Sequence, residues 1–340
     1  MQPFNYERVS TGAAAVQAAA AAARANAASQ NAVHFLAGGT TLLDLMKLDV
    51  MRPQSVVDIN ALEQTPLGRI EANGKGLRLG AMVRMSNAAE HPAIRRDYPM
   101  IAQSLTLAAS QQIRNMASLG GNVLQRTRCP YFRDVSYSNC NKRNAGSGCA
   151  AMDGINRRHA VLGVSDQCIA TYPGDFAQAL IALDASMEIM GPRGNRTIPF
   201  ATLHRKPGNT PEIETSLQPG EVIASFSVAA APWTRRSLYL KIRDRESYEF
   251  ALASAAVALD LQDGTVQQAR IGLGGMATVP WRAKEAETAL NGKTIDAQST
   301  QAAAEAAFAD SHAQAHNAFK IELGKRTLVR ALTAAAAMEV

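Results

Sequence analysis

The chain places all of its cysteines in one stretch: Cys129, Cys140, Cys149 and Cys168, spaced C-x10-C-x8-C-x18-C. Four thiolates complete a tetrahedral set for a zinc ion or bind the four irons of a [4Fe-4S] cluster. The residues between them are rich in Gly, Asn and Arg and poor in large apolar side chains, so such a loop would take its organisation from a metal centre rather than from its own packing. No C-x2-C pair of the zinc-ribbon kind occurs, and the spacing is wider than the compact ferredoxin run. Spacing alone leaves [4Fe-4S], zinc, and unligated thiols or disulfides open. From Leu124 to Ala160 there are seven basic side chains (Arg126, Arg128, Arg133, Lys142, Arg143, Arg157, Arg158) against two acids (Asp134, Asp153). Such a surplus favours thiolates and an anionic cluster, and would raise its potential. His159 lies in the same stretch; four cysteines already complete a ligand set, so it is read as a hydrogen-bonding loop residue.

Two further motifs can do chemistry through their backbone. "AGGTTLL" (Ala37 to Leu43) and "SLGGNV" (Ser118 to Val123) each carry a Gly-Gly pair with hydroxyl or amide side chains beside it. Glycines there permit positive φ and let N–H groups approach a diphosphate, while Thr40, Thr41 and Asn122 add side-chain hydrogen bonds. Taken singly, either motif is equally an ordinary tight turn. No G-x-G-x-x-G follows a strand and no P-loop Lys-Ser/Thr is present, so a dinucleotide would be held by a fold other than the Rossmann fold.

Elements must position these motifs. An alanine-rich helix, "GAAAVQAAAAAARANAA", begins near Ser10 or Thr11. It is followed by a strand, the first Gly-Gly turn, a helix in "LLDLMK" and a strand in "PQSVVDINAL". "GLRLGAMVRMS" reads as a strand and "YPMIAQSLTLAAS" as a helix by its apolar spacing. Beyond the cysteines come a helix in "GDFAQALIALDA", a hairpin in "SMEIMGPRGNRTIPF", and strands in "EVIASFSVAAAP" and "RSLYLKIRDR". The last hundred residues give two strands about Asp263-Gly264 and three helical stretches, "WRAKEAETAL", "STQAAAEAAFAD" and "NAFKIELGKRTLVRALTAAAAM", a separate α+β unit starting near Pro232.

Four ordered segments, "FLAGGTTLLDLMK", "QIRNMASLGGNVLQ", "YPGDFAQALIALDA" and "LGGMATVPWRAKEAETALNGK", resemble the FAD-binding medium subunits of the xanthine dehydrogenase, or molybdenum hydroxylase, family. The resemblance implies an α+β chain: a two-subdomain FAD-binding domain of the vanillyl-alcohol-oxidase (PCMH) type, 1–55 and 56–231, then a C-terminal flavoprotein domain, 232–340. The cysteine-rich insertion would occupy about 124–170. It further implies that Leu36, Ala37, Gly38, Gly39, Thr40, Thr41, Leu42 and Leu43 line the FAD diphosphate, with Ser118, Gly120, Gly121, Asn122 and Leu124 forming a second loop. Asp175 is expected near the adenosine sugar and Ile223 in the cofactor site. Lys241 and Tyr248 are expected at the flavin ring. Many relatives carry an acidic residue where Tyr248 stands, a departure that argues against NAD⁺ as acceptor.

Within that family the insertion is similar to those of members that oxidise aldehydes or reduce 4-hydroxybenzoyl-CoA, where a [4Fe-4S] cluster lies near the flavin. The expected cofactors are therefore FAD and one [4Fe-4S] cluster on Cys129, Cys140, Cys149 and Cys168. The expected partners are a [2Fe-2S] small subunit, a molybdopterin large subunit and an external electron acceptor, and no residue of this chain need act on the organic substrate. A zinc-stapled, non-catalytic scaffold and a stand-alone flavin oxidase are the alternatives. The formal charge of +6 is concentrated in the cysteine stretch, which is neither a helix face nor an aromatic stacking platform, so nucleic acid is not expected. The alanine-rich segment is too short and too interrupted to span a membrane. The expected compartment is the cytoplasm, or the periplasm through export with a partner that bears a twin-arginine signal.

Overall fold

The computed structural model describes residues 1–25 and 33–340. The first unit comprises β1 (Asn5–Arg8), α1 (Gly12–Ala25), β2 (Val33–Leu36), α2 (Leu42–Lys47) and β3 (Ser55–Asp58). Its three strands form a parallel sheet in the order β1-β3-β2. Thr11 starts α1 by accepting a hydrogen bond from the Ala14 N–H (3.2 Å), which satisfies one of the free donors of the first turn. The end of the alanine-rich segment, 26–28, lies outside the described residues. β3 pairs along its whole length with β1 and β2, so the expected boundary after residue 55 cuts a strand, and the unit extends at least to Asp58.

The second unit contains β4 (Ile70–Asn73), β5 (Gly76–Gly80), α3 (Met85–Glu90), α4 (Pro92–Asp97), α5 (Pro99–Thr106), α6 (Gln111–Met116), α7 (Leu119–Val123), α8 (Pro130–Arg133) and α9 (Ala150–Asp153). It continues with α10 (Phe176–Ala182), β6 (Ser186–Met190), β7 (Arg196–Pro199) and β8 (Val222–Ala229). Its antiparallel sheet runs β4-β5-β8-β6-β7. The expected strand through "GLRLGAMVRMS" stops at Gly80, whose Cα lies so close to Leu67 that a Cβ would stand 2.1 Å from its carbonyl oxygen. "SLGGNV" is a short helix with Ser118 as its cap rather than a strand turn, because the Ser118 hydroxyl accepts the Gly121 N–H (3.2 Å).

The third unit is an antiparallel sheet, β12-β11-β10-β9, covered by three helices: β9 (Ser237–Ile242), β10 (Ala253–Gln262), β11 (Thr265–Gly274), β12 (Trp281–Arg282), α11 (Lys284–Leu290), α12 (Ala297–Ala307) and α13 (Phe319–Ala336). Trp281 and Arg282, expected to open a helix, pair instead with Leu273 and Gly272. β10 shows why the units hold together. Ala253, Ala255, Val257 and Leu259 enter the core beneath α11–α13, while Ala256 and Ala258 enter the core of the second unit with Phe176 and Phe226. A strand alternates its side chains between faces, and small residues let both faces be covered closely. Val161 and Leu162, from the end of the cysteine stretch, are also part of the third unit's core.

Candidate functional site

The first glycine loop joins β2 to α2. Gly39 has φ +72°, a conformation that favours glycine, and a Cβ on Gly38 would lie 1.9 Å from the Met116 carbonyl oxygen. The loop is therefore wedged against the segment that leads into α7, and the structure brings the two Gly-Gly motifs together. Asn60 donates to the Ala37 carbonyl (2.9 Å), and Arg84 bonds Asn60, Glu63 and the Met116 carbonyl, so both motifs share one brace. Neither Asn60 nor Arg84 was expected in the site, since each is an unremarkable polar residue until the fold places it there. Among the described residues, the N–H groups of Gly38, Gly39, Thr40 and Thr41 meet no acceptor.

The second loop differs. Its N–H groups are already engaged: Gly120 with Ala81 O (2.8 Å), Gly121 with Ser118 Oγ, and Asn122 with Ser118 O (2.8 Å). What remains is the bare Cα of Gly121, near which a Cβ would meet only the Ser118 hydroxyl, and the buried Asn122 Oδ1, which has no partner among the described residues. An orphaned buried acceptor calls for a donor from outside the chain. Leu43 and Leu124 are exposed beside the two loops. Leu42 and Ile223, also expected at the cofactor, are instead buried in protein cores.

Asp175 and Lys241 were expected at opposite ends of a dinucleotide, yet they form one buried ion pair, Nζ to Oδ2 at 2.7 Å, with side chains 5% and 1% exposed. Lys241 also donates to the Leu107 carbonyl (3.1 Å), and the Tyr239 hydroxyl donates to Asp175 Oδ1 (2.5 Å). Burial, with Asp175 beside it, pushes the Tyr239 phenol well up. Tyr248 lies on the loop between β9 and β10, 55% exposed, with left-handed backbone at φ +52° and the Arg245 guanidinium over its ring at 5.7 Å. A bulky residue in that region is strained, and such strain gathers at ligand sites.

The four cysteines line one cavity together with Tyr131, Phe132, Asn141 and Ala151. None is in a disulfide, and Cys140 and Cys168 are buried. Cys129 and Cys140 share a core with Phe132 and with Leu42, Leu45 and Met46 of α2, directly after the first glycine loop. Burial pushes the Cys129 thiol up to about 12 and the Cys168 thiol up to about 11. Metal ions would thus have to supply the charge that deprotonates them. Yet among the described residues no three Cys, His, Asp or Glu side chains are grouped to hold a metal ion.

The basic surplus around them is not free. Arg128 and Arg133 both bond Asp44 of α2 (3.1 and 2.8 Å), holding its carboxyl below the usual range. Burial raises the carboxyl of Glu214, but Arg126 and Lys142 overcome it and hold it down to about 2. Arg157 and Arg158 bond Asp244 at 3.1 Å, and Arg143 donates to the carbonyls of Tyr131, Phe132, Asp134 and Tyr137. Most of these cations therefore fasten the cysteine stretch to the rest of the chain, whereas the sequence led us to expect them to favour the thiolates and an anionic cluster. Glu214 was not expected here; it comes from a Pro- and Gly-flanked loop that nothing local ties to the cysteines.

The profile described as the FAD binding domain in molybdopterin dehydrogenase matches residues 2–230, and the CO dehydrogenase flavoprotein C-terminal domain matches residues 238–335. The α+β frame is thus that of a flavoprotein. The chain belongs to the FAD-binding medium subunits of the xanthine dehydrogenase and CO dehydrogenase family, oxidoreductases of the molybdenum hydroxylase type. It is 45% identical over 339 residues to the aldehyde oxidoreductase FAD-binding subunit PaoB of Escherichia coli K12, covering 99% of each chain. It is 26% identical to the carbon monoxide dehydrogenase medium chain of Hydrogenophaga pseudoflava, covering 81% of this chain and 77% of the relative. The structure of carbon monoxide dehydrogenase from Hydrogenophaga pseudoflava superposes with a TM-score of 0.74 at 26% identity, covering 99% of both chains. Among the described residues no helix is long and apolar enough to cross a membrane.

Proposed function

We propose that this chain is the FAD- and [4Fe-4S]-carrying subunit of a molybdenum-containing aldehyde oxidoreductase. Electrons would reach it from molybdopterin through [2Fe-2S] clusters on partner chains and leave to an external acceptor. The observation that carries the reading is the shared core: Cys129 and Cys140 pack with Leu42, Leu45 and Met46, the helix that follows the first glycine loop. That contact supports a cluster close to the flavin diphosphate. The likeness to PaoB supports aldehydes as substrate class, and the naming of relatives as medium subunits supports small and large partners.

The residues fit FAD. The four N–H groups of Gly38, Gly39, Thr40 and Thr41 are donors for a diphosphate, and Gly121 leaves room where a side chain would intrude. The buried, unpartnered Asn122 Oδ1 would be free to accept a hydrogen bond from the cofactor. Asp175 and Lys241 stiffen the wall between the second and third units, and Tyr248, exposed and held at φ +52°, would lie at the ring. FAD accepts electrons singly and stores two, which matches one-electron clusters to the final acceptor.

The cysteines fit a cluster better than one zinc ion. A lone ion draws its four sulfurs to within about 2.3 Å of one point, whereas a four-iron cluster spreads them around a larger body; the four thiols line one cavity. The complex purified with its partners should show flavin absorption on a broad iron–sulfur background, with iron and sulfide for one such cluster on this chain. Cys140→Ser should lose that cluster while retaining most FAD. A flavin-free protein containing zinc, or Cys140→Ser with a full cluster, would overturn the proposal.

A further inference from the structure

His159 sits between the cysteine cavity and the third unit. Its side chain is buried, with Nε2 3.2 Å from the Cys129 sulfur and Nδ1 without a partner among the described residues. Its backbone is pinned from several directions. The N–H donates to Asn156 O (2.9 Å), and the carbonyl accepts from Lys320 Nζ (3.0 Å) and Asn317 Nδ2 (3.3 Å). Lys320 is itself fully buried near the start of α13 and donates also to Gly275 O (2.5 Å) and Arg158 O (3.4 Å), with no carboxylate partner among the described residues. A buried ammonium spent on backbone carbonyls alone is a device for fixing a chain segment, and the segment it fixes is the one that bears the imidazole.

A neutral imidazole has one N–H. On Nδ1 that N–H would be buried with no acceptor, a rare and costly state, whereas on Nε2 it points at the Cys129 sulfur. We propose that His159 is a positioning residue which donates its Nε2–H to the thiolate of Cys129 and thereby raises the reduction potential of the cluster held by the four cysteines. The inference rests on the cluster reading above. Reduction adds negative charge that is shared with the sulfurs, so a donor aimed at one of them strengthens on reduction and favours the reduced state. Asn317 and Lys320 make the bond possible by holding the ring's own backbone.

The test is an EPR-monitored redox titration of the intact complex with His159→Leu, which removes the donor, and His159→Gln, which keeps an N–H at similar reach. With iron and FAD content unchanged, H159L should lower the equilibrium constant for cluster reduction about tenfold, 59 mV for a one-electron couple, with the flavin midpoint unmoved and H159Q recovering part of the shift. If H159L does not assemble, His159→Phe carries the same expectation. An unshifted midpoint at full iron content overturns the inference, as does loss of the cluster from both H159L and H159Q with FAD retained, which would make His159 a ligand. Iron missing from the unmutated complex would instead remove the cluster reading itself.

Discussion

Gly38→Ala tests whether the two glycine loops are held together by backbone contact. A Cβ on Gly38 would stand 1.9 Å from the Met116 carbonyl oxygen and 2.6 Å from its carbon, against the 3.0 Å that real Cβ atoms keep. The obstruction is backbone, and the neighbouring Arg84 is tied to the same carbonyl, so no rotamer change relieves it. The loops must part by about an ångström, at an overpacking cost of about 1–3 kcal/mol. Charge-assisted hydrogen bonds are worth about 1.5–3 kcal/mol each. If the shift misaligns one N–H donor on a diphosphate, FAD affinity falls roughly 10- to 100-fold. Gly121→Ala is the control. Its Cβ would stand 3.0 Å from the capping Ser118 hydroxyl and near no backbone outside the helix, where alanine is preferred to glycine by roughly 0.5–1 kcal/mol. G121A should keep or slightly raise the urea midpoint while weakening FAD, because the new methyl enters the open face. Both variants are assayed by flavin-fluorescence titration of the deflavinated complex beside urea denaturation. G38A with a normal midpoint and normal affinity would refute the wedge, and G121A with normal FAD affinity would move the cofactor off that face.

Two further outcomes follow from the buried polar groups. Burial pushes His204 down to about 4, and its Nε2–H donates to the Val123 carbonyl at 2.9 Å, whereas an unfolded histidine takes up its proton near 6.5. The unfolded chain then binds more protons between these values, so stability from His204 is full above about pH 6.5 and is lost as pH falls towards 4; denaturation midpoints from pH 7 to 4 should flatten in His204→Gln, and an unchanged slope would count against it. Arg143→Lys should open the cysteine stretch to limited proteolysis. One ammonium cannot reproduce a planar fork serving the carbonyls of Tyr131, Phe132, Asp134 and Tyr137, and wild-type resistance would show the staple to be dispensable.

What the sequence by itself determined was local or repeated. The four cysteines on a stretch too polar to pack, the two Gly-Gly turns, and the strand and helix periods of "VHFL", "FAQALIA" and "ASAAVALDLQ" are all fixed by residue type and spacing. The flavin family came from the resemblance of four ordered motifs to its members, and the two-subdomain FAD-binding frame was what that resemblance implied. Tertiary structure alone decided the rest, because it depends on partners distant in sequence. Asp175 and Lys241 became one ion pair only when α10 met β9. The excess of arginine around the cysteines became a set of ties only when Asp44, Glu214 and Asp244 came within reach, and long-range pairing of that kind leaves no periodic trace. The cysteine cavity itself owes its place beside the first glycine loop to Phe132 and Cys140 joining the α2 core, and His159 meets Cys129 on a segment whose carbonyl is gripped by Lys320 of α13.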